Sequence, residues 1–344
     1  MKTQEIRSTN GSGYHQMPAV HRGSFIKQFT GPDEDSGIVC FKFWELVVAA
    51  GCVYRCSYCF LQAVPSFVFG HYNLMGTIFS NWKQMIEEVE KWLEWPTPRM
   101  LLIGELQDGL VFDGVYKKYA GQSITEMLIP LFAQQKRHRL IFLTKSVMTQ
   151  FAKKLPPTDR VVFSWSVNSE EMGRKWEIGT PPPSKRFQAA WEMKQLGWPV
   201  RFRLDPMVPY DDWKLGYAWA LDQINSIGPE MVTIGALRAS NTLQAHTARN
   251  GRDASIFDKL SEKDPSGFKY RLPFETQVEM FKFAVDRLDK RKISVALCKE
   301  DTSIWKAIGL KFEGCHCLLG KKDEIISDRW NGNRAWKQIY TVKT

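Results

Sequence analysis

Short runs of β-branched and aromatic residues alternate along this chain with amphipathic stretches that have the period of an α-helix. The strand-like runs are residues 38–48, 99–103, 140–144, 160–167, 200–204, 231–234 and 292–297. The helical stretches are residues 78–95, 123–135, 184–196, 213–227 and 274–288. Strands that alternate with helices form parallel sheets through right-handed crossovers. The pattern therefore predicts an α/β fold, a partial (β/α)6 TIM-type barrel, within residues 37–297.

Two flanking segments lack this alternation. Residues 1–36 are polar and rich in glycine, which predicts a partly ordered N-terminal arm. Residues 298–344 follow the last predicted strand, and we predict a C-terminal extension that contains cysteines. The sequence has no run of 18 apolar residues and no apolar signal core near Met1, so we expect a cytoplasmic protein without a membrane span.

The chain is basic. Lys and Arg outnumber Asp and Glu by 47 to 37, which gives a formal net charge of +10. Positive charge of this size favours a polyanionic partner, and nucleic acid is the first candidate. Charge alone does not choose between DNA and RNA.

Polar residues gather where the predicted parallel strands end. In a barrel of this type the carboxyl ends of the strands form one rim, and chemistry takes place there. The residues at these positions are Cys52–Cys59, Gly104–Asp108, Lys145, Ser166, Asn168, Asp205, Arg238 and Cys298. Together they predict a site at this rim.

Cys52, Cys56 and Cys59 form the most informative part of the predicted rim, with the spacing C-x3-C-x2-C. Three thiolates this close together can bind three irons of a cubane [4Fe–4S] cluster and leave the fourth iron open. S-adenosylmethionine (SAM) can bind an open iron of this kind and be cleaved reductively. A zinc site usually has two C-x2-C pairs or a distant His pair, and a disulfide is disfavoured between cysteines so close in sequence.

The three cysteines, with Phe60 directly after them, resemble the motif of the radical SAM superfamily. Further stretches resemble the spore photoproduct lyase family within it, in the same order and over residues 38–297. These stretches are Leu-Thr-Lys145-Ser, Phe-Ser-Trp-Ser166-Val-Asn168, the block from Glu177 to Arg186, and the run from Asp205 to Tyr217. The resemblance implies a partial TIM barrel that binds duplex DNA and acts on a flipped, thymine-derived base.

The resemblance also implies roles for individual residues. Cys52, Cys56 and Cys59 would bind the cluster, and an electron donor of the flavodoxin or ferredoxin type would reduce it. Tyr58 and Phe60 would flank the adenosyl group of SAM. The other SAM contacts would come from Gln107, Asp108, Lys145, Ser166 and Asn168.

Two departures from the family pattern bear on the reaction. Glu105 stands where the lyases have a cysteine that donates a hydrogen atom, and residues 100–112 contain no cysteine. Phe60 replaces a neighbouring family tyrosine and so removes a phenolic hydroxyl. We therefore expect base modification or radical rearrangement, with Tyr58 and Glu105 as the candidate catalytic residues. The nearest picture is a phage-type enzyme that remodels a hypermodified thymidine, for example by rearranging an amino-acid adduct.

Three alternatives stay open at this stage. The first is lesion repair of the spore photoproduct lyase type with a relocated donor such as Cys298. The second is a radical SAM enzyme that acts on RNA or peptide. The third is a DNA-binding protein that holds a structural metal and has no catalytic activity.

The C-terminal extension contains a second group of candidate ligands. Cys298, Cys315 and Cys317 could bind a second iron–sulfur cluster with one open iron, or zinc with His316 or Cys40 as the fourth ligand. Three unrelated thiols are the simpler interpretation.

A polar and basic stretch between residues 238 and 271 is the candidate nucleic-acid surface. Arg238, Lys269, Tyr270 and Arg271 combine cations with an aromatic ring, which suits phosphates and a stacked base.

Overall fold

The computed structural model describes residues 18–29, 36–63, 76–312 and 314–319. Its main sheet has eight strands: β1 Ile26–Phe29, β2 Phe43–Leu46, β3 Met100–Ile103, β4 Arg139–Thr144, β5 Val161–Ser166, β6 Val200–Met207, β7 Met231–Ala236 and β8 Ser294–Leu297. β1 is antiparallel to β2, and β2 to β8 are parallel in sequence order. Within the described residues β8 pairs with neither β1 nor β2, so the barrel is open. The predicted partial TIM-type barrel is confirmed.

Helices connect the strands and cover their outer face. They are α1 Trp82–Leu93, α2 Asp113–Ala120, α3 Ile124–Ala133, α4 Glu170–Trp176, α5 Pro183–Gln195, α6 Trp213–Ile227, α7 Asn241–Arg249, α8 Phe274–Arg287 and α9 Thr302–Ile308. Ser123 caps α3 through a reciprocal capping box with Glu126. The five long helices lie within a few residues of their predicted ranges, because an amphipathic period is a strong signal.

The first predicted strand differs from the structure. Residues 38–48 divide into Ile38–Val39 and β2, and Ala49–Ala50 forms a further short strand. Ile38–Val39 pairs with Glu300–Asp301, and Ala49–Ala50 pairs with Thr77–Ile78. A continuous β-rich run does not show where a chain changes its pairing partner, because partners lie far away in sequence.

The two faces of the sheet are different in character. On β5, Val161, Phe163 and Trp165 belong to the main core between the strands and the helices. Val162 points the other way, into a small apolar cluster inside the barrel with Phe43, Met100, Leu102 and Ile141. On β6 the inward face carries charge, at Arg201, Arg203 and Asp205.

Part of the C-terminal extension lies inside the barrel. Cys317 packs against the inner apolar cluster. Nη1 of Arg201 donates to the carbonyls of His316 at 3.0 Å and Leu318 at 2.9 Å, and Nη2 donates to the carbonyl of Leu319 at 3.1 Å. We call Gly314–Leu319 the plug segment, because it fills the barrel interior. The predicted domain boundaries stay predictions.

None of the helices in the described ranges is long and apolar enough to cross a membrane.

Candidate active site

The cysteine loop lies at the carboxyl end of β2. The amide of Cys59 donates to the carbonyl of Cys56 at 3.2 Å, which closes a turn. Arg55–Cys56 pairs antiparallel with Glu177–Ile178 and so anchors the loop to the barrel. Cys56 is buried, and Cys52 and Cys59 are half-buried. The loop therefore holds its three thiols at the rim that the sequence predicted.

The backbone of the loop accepts hydrogen bonds from the side chains of Gln62, of Thr247 in α7 and of Arg252 after α7. The hydroxyl of Thr247 donates to the Ser57 carbonyl at 2.9 Å, and Gln62 Nε2 donates to the same oxygen at 2.7 Å. Arg252 Nη1 donates to the Cys56 carbonyl at 2.9 Å, and Arg252 Nε is buried without a partner. Burial lowers the pKa of Arg252, and thiolates at the three cysteines raise it. A cation therefore stands beside the thiols and can balance a negatively charged cluster.

A second group of polar residues converges next to the loop. Lys145 Nζ donates to Ser166 Oγ at 2.8 Å and lies 3.8 Å from Oε1 of Glu177. The hydroxyl of Tyr58 donates to Glu177, and Lys145 Nζ stands 5.6 Å from the centre of the Tyr58 ring. Four residues that are far apart in sequence thus share one buried network.

Glu177 is the centre of this network, and Arg186 neutralises it. Arg186 Nη1 lies 2.5 Å from Oε2 of Glu177, and both side chains are almost fully buried. Burial alone would raise the pKa of Glu177, but Arg186 and Lys145 lower it below its usual value. Burial and the neighbouring Glu177 raise the pKa of Tyr58, which keeps its phenol protonated.

The other residues predicted to contact SAM differ in whether they have a hydrogen-bonding atom without a partner. Asp108 accepts from the amides of Leu110, Val111 and Lys145 and from the Thr144 hydroxyl, so its carboxylate shapes the loops around it. Gln107 Nε2 donates to the Leu46 carbonyl at 3.1 Å, while its Oε1 is buried without a partner. Gln107 Oε1 is therefore the acceptor that a bound ligand could use.

Asn168 is held between two backbone groups. Its Nδ2 donates to the Pro206 carbonyl at 2.9 Å, and its Oδ1 accepts from the Ser169 amide at 3.2 Å. Phe60 is 47% exposed beside the loop, which leaves its ring available to a ligand.

The thiols suit a cluster better than a single ion. Across the part of the chain that the structure describes, no three His, Cys, Asp or Glu side chains are arranged to hold one metal ion. Cysteine thiolates are the usual ligands of iron–sulfur clusters. Three thiols, a neighbouring cation and an unpaired Gln107 oxygen fit a cluster that has an open iron and a polar ligand beside it.

A family model described as spore photoproduct lyase matches residues 43–237, more than half of the chain. The chain belongs to the spore photoproduct lyase family. Its relatives include a spore photoproduct lyase of Bacillus subtilis, 23% identical over 189 residues, or 55% of this chain and 53% of that protein. Another from Geobacillus is 24% identical over 179 residues, or 51% of this chain and 48% of that protein. The chain thus spans about half the length of the curated relatives that it matches.

Solved structures of spore photoproduct lyase share the fold. A cysteine-to-alanine variant of that enzyme matches with a TM-score of 0.65 and 16% identity over 81% of each chain. A double variant with bound AdoMet and dinucleoside spore photoproduct matches with a TM-score of 0.58 and 18% identity, over 72% of this chain and 74% of that one. The resemblance seen in the sequence is confirmed at the level of family and fold.

The family pattern did not assign a role to the charged residues beneath the rim. Glu177 and Arg186 both lie in a stretch that resembles the family. They are nine residues apart in sequence, and the fold brings them together in an ion pair. On β6, Arg201, Arg203 and Asp205 repeat every second residue, which is the pattern of one sheet face. This alternation was the sequence signal for a polar barrel interior.

Glu105, which the family resemblance predicts at the position of a donor cysteine, is held in an ion pair. Its carboxylate contacts Nη1 of Arg203, and Arg203 also contacts Asp205 at 3.0 Å. Burial would raise the pKa of Glu105, but Arg203 and Lys299 lower it to about 2. Glu105 is therefore ionised and carries no acidic proton at neutral pH.

Most of the predicted nucleic-acid residues have partners within the fold. Arg238 donates to Glu300 at 2.6 Å and to the Lys299 carbonyl at 2.7 Å. Arg271 pairs with Asp301. Lys263 Nζ covers the Tyr270 ring at 3.8 Å. In the described residues no carboxylate pairs with the ammonium of Lys269, so this cation has the most capacity left for a phosphate.

We expect the buried Glu45 to make stability depend on pH. Burial, and then the neighbouring Glu105, raise the pKa of Glu45 from 4.5 to about 8, and its Oε1 accepts from the Leu106 amide at 2.7 Å. The folded state thus keeps a proton that the unfolded state releases, so stability falls as pH rises between the two pKa values.

The Glu45→Gln variant should lack this fall, because the glutamine amide does not titrate, and its oxygen still accepts from the Leu106 amide. From about pH 5 to pH 8 the wild type should lose about 3 kcal/mol more unfolding free energy than the variant. Urea titrations at several pH values measure this difference. Parallel pH profiles of the two proteins would contradict the prediction.

Proposed function

We propose that the chain is a radical SAM enzyme that modifies or rearranges a thymine-derived base in DNA. One observation carries the proposal. The cysteine loop, the Lys145–Ser166–Glu177 network and the unpaired Gln107 oxygen lie together at one rim of a spore photoproduct lyase fold. A [4Fe–4S] cluster on Cys52, Cys56 and Cys59 would supply the electron that cleaves SAM to a 5′-deoxyadenosyl radical, which takes hydrogen from the base.

The residues around the loop then bind and orient SAM. Lys145 offers a cation for the methionine carboxylate, and its link to Ser166 fixes the direction of the ammonium. Gln107 Oε1 accepts a hydrogen bond from an amino or hydroxyl group. Tyr58 and Phe60 cover the adenosyl group. The buried Glu177–Arg186 pair supports this arrangement from below without contacting the reacting atoms.

The state of Glu105 favours rearrangement over repair. A repair reaction ends when a hydrogen atom is returned to the thymine radical. Glu105 is an ionised carboxylate paired with Arg203, so it has no hydrogen atom to give. In a rearrangement, the final substrate radical can take its hydrogen atom back from 5′-deoxyadenosine, so the reaction requires no protein thiol. An amino-acid adduct on the thymine methyl group is a substrate of this kind.

A polyanion fits the net charge of +10, and the family resemblance favours DNA. Lys269, with Lys299 and Arg238 as neighbouring cations, is a candidate phosphate contact. A base must leave the duplex to reach the cysteine loop, at a cost of about a few kcal/mol that contacts in the pocket offset.

Repair is the second candidate, and one contact supports it. Arg203, which holds Glu105, also donates from Nη2 to Cys298 Sγ at 3.2 Å. Cys298 thus lies next to the position of the family's donor and could serve as a relocated hydrogen-atom donor.

The test compares three DNA substrates under anaerobic, reducing conditions with SAM. They are plain DNA, DNA with spore photoproduct, and DNA with an amino-acid adduct on thymidine. We expect turnover of the adduct DNA, with deuterium moving from its labelled carbon into 5′-deoxyadenosine. Turnover of photoproduct DNA alone would reject modification and select repair. If SAM is cleaved with none of the three, the proposed reaction on thymine-derived DNA bases is rejected for these substrates.

A further inference from the structure

The fold brings together all four cysteines that lie outside the loop motif. The sequence contains seven cysteines, and the remaining four are Cys40, Cys298, Cys315 and Cys317. They come from the strand before β2, the end of β8 and the plug segment. Such a convergence of every remaining thiol from three distant segments is not expected by chance.

A short antiparallel ladder lies next to both Cys40 and Cys298. Val39 pairs with Glu300, and Ile38 pairs with Asp301. Cys40 directly follows Val39, and Cys298 precedes Glu300 by two residues, so the ladder brings the two cysteines into the same region. Cys298 Sγ accepts from Nη2 of Arg203, which points inward from β6.

The plug segment brings the other two thiols to the same place. Arg201 donates to the carbonyls of His316 and Leu318, which lie on either side of Cys317, and Arg203 is the next inward residue of β6. Phe41, directly after Cys40, stacks on Phe312, just before the plug segment, with ring centres 5.0 Å apart. The plug segment therefore approaches both Cys40 and the face of β6 that contacts Cys298.

Two features of this region indicate that it holds a ligand. Cys40, Cys315 and Cys317 are half-buried, so part of the surface of each is open to a ligand. His316 lies between two of the cysteines and is 1% exposed, and its Nε2 is buried without a partner. A fully buried imidazole nitrogen with no partner is costly unless a ligand accepts its hydrogen bond.

Arg203 is already paired with Glu105 and Asp205, so Lys299 is the cation in this region that could balance an anionic ligand. Arg203 and Lys299 flank the thiols, and in the described residues Lys299 has no carboxylate within ion-pair distance and only the Phe29 ring at 4.9 Å. A cubane cluster with four thiolates has a net negative charge. Arg203 could donate to a ligand sulfur and Lys299 could offset the remaining charge, as neighbours of metal sites commonly do.

We propose that Cys40, Cys298, Cys315 and Cys317 bind a second iron–sulfur cluster inside the barrel. Four ligands saturate it, so this cluster does not bind SAM, and it ties the plug segment to β8. The inference is independent of the DNA substrate. It competes with the repair alternative, because a Cys298 that binds iron cannot donate hydrogen.

The decisive protein is the Cys52→Ala/Cys56→Ala/Cys59→Ala variant, which keeps only the second set of ligands. After anaerobic reconstitution of the full chain, we expect it to retain two to four irons per chain with equal sulfide, and its electron paramagnetic resonance spectrum to be unaffected by SAM. Less than one iron per chain, or zinc in place of iron, would overturn the proposal. If the SAM response is lost while the iron is retained, only the cluster on Cys52, Cys56 and Cys59 is affected. The proposed function and the second cluster can therefore be rejected independently of each other.

The complementary variant is Cys298→Ser/Cys315→Ser/Cys317→Ser. It should keep about four irons and the spectral response to SAM, and lose the remainder of the wild-type iron. His316→Ala provides a milder readout, since it leaves the iron content unchanged and shifts the spectrum of the SAM-insensitive cluster. Circular dichroism identifies variants that fail to fold. Equal iron in the wild type and in a folded serine variant would contradict a second cluster.

Discussion

Cys56→Ala protein should form 5′-deoxyadenosine from SAM at least about 1,000-fold more slowly than the wild type, or roughly 4 kcal/mol higher in barrier. The thiol of Cys56 is the buried member of the trio, and the loop around it is anchored by Glu177–Ile178 and Arg252. Two remaining thiolates would not hold a cubane in the position that SAM requires. The measurement is single-turnover formation of 5′-deoxyadenosine with excess reductant.

Ser57→Ala is the matched control in the same loop. The carbonyl of Ser57 receives the hydrogen bonds from Gln62 and Thr247, whereas its buried hydroxyl has no partner. Removing the hydroxyl should leave SAM cleavage within about threefold of the wild type, because no bond is lost. Comparable activity of the Cys56→Ala and wild-type proteins would show that another set of ligands holds the reactive cluster.

Arg186→Met should lower the unfolding free energy by about 3–5 kcal/mol, the usual cost of removing one partner from a buried ion pair. Arg186 is fully buried, and it also donates to the Pro181 carbonyl, the Ser166 carbonyl and the Thr180 hydroxyl. Glu177 would keep a buried charge and pull Lys145 away from Ser166. The KM for SAM should therefore rise as well. Urea unfolding measures the first effect, and initial rates measure the second.

Lys185→Met changes the preceding residue on the same helix and is the control for Arg186→Met. Lys185 is exposed and contacts only Gln188 at 3.4 Å, so its loss should cost less than about 0.5 kcal/mol. The double variant Arg186→Met/Glu177→Gln should recover part of the stability, because no unpaired charge remains. Equal destabilisation in the two single variants would mean that the ion pair contributes nothing specific.

The sequence predicted the rim of this barrel well, for a physical reason. Parallel strands place their carboxyl ends at one edge, so residues that follow different strands must meet. Lys145 and Ser166 follow or close neighbouring strands, and they are hydrogen-bonded. The amphipathic helices were equally predictable, because their period depends only on local sequence.

Long-range charge pairing could not be predicted in this way. Arg238 and Arg271 belong to a basic stretch that resembled a nucleic-acid surface, yet Glu300 and Asp301 neutralise them. These acids follow β8, and no local pattern relates them to the arginines. The position of the plug segment was likewise beyond the sequence, because its contacts with Arg201 are mostly to backbone carbonyls, which every residue has.

The plug segment also sets an order of events during biosynthesis. A ribosome synthesises residues 314–319 only after all eight strands of the sheet have been made. Arg201 and Arg203 can pair earlier with Glu230, Glu105 and Asp205, but the carbonyls that Arg201 binds in the plug segment do not yet exist. The remaining donors of Arg201 stay hydrated until the plug segment supplies those carbonyls, which makes closure of the interior a late step of maturation.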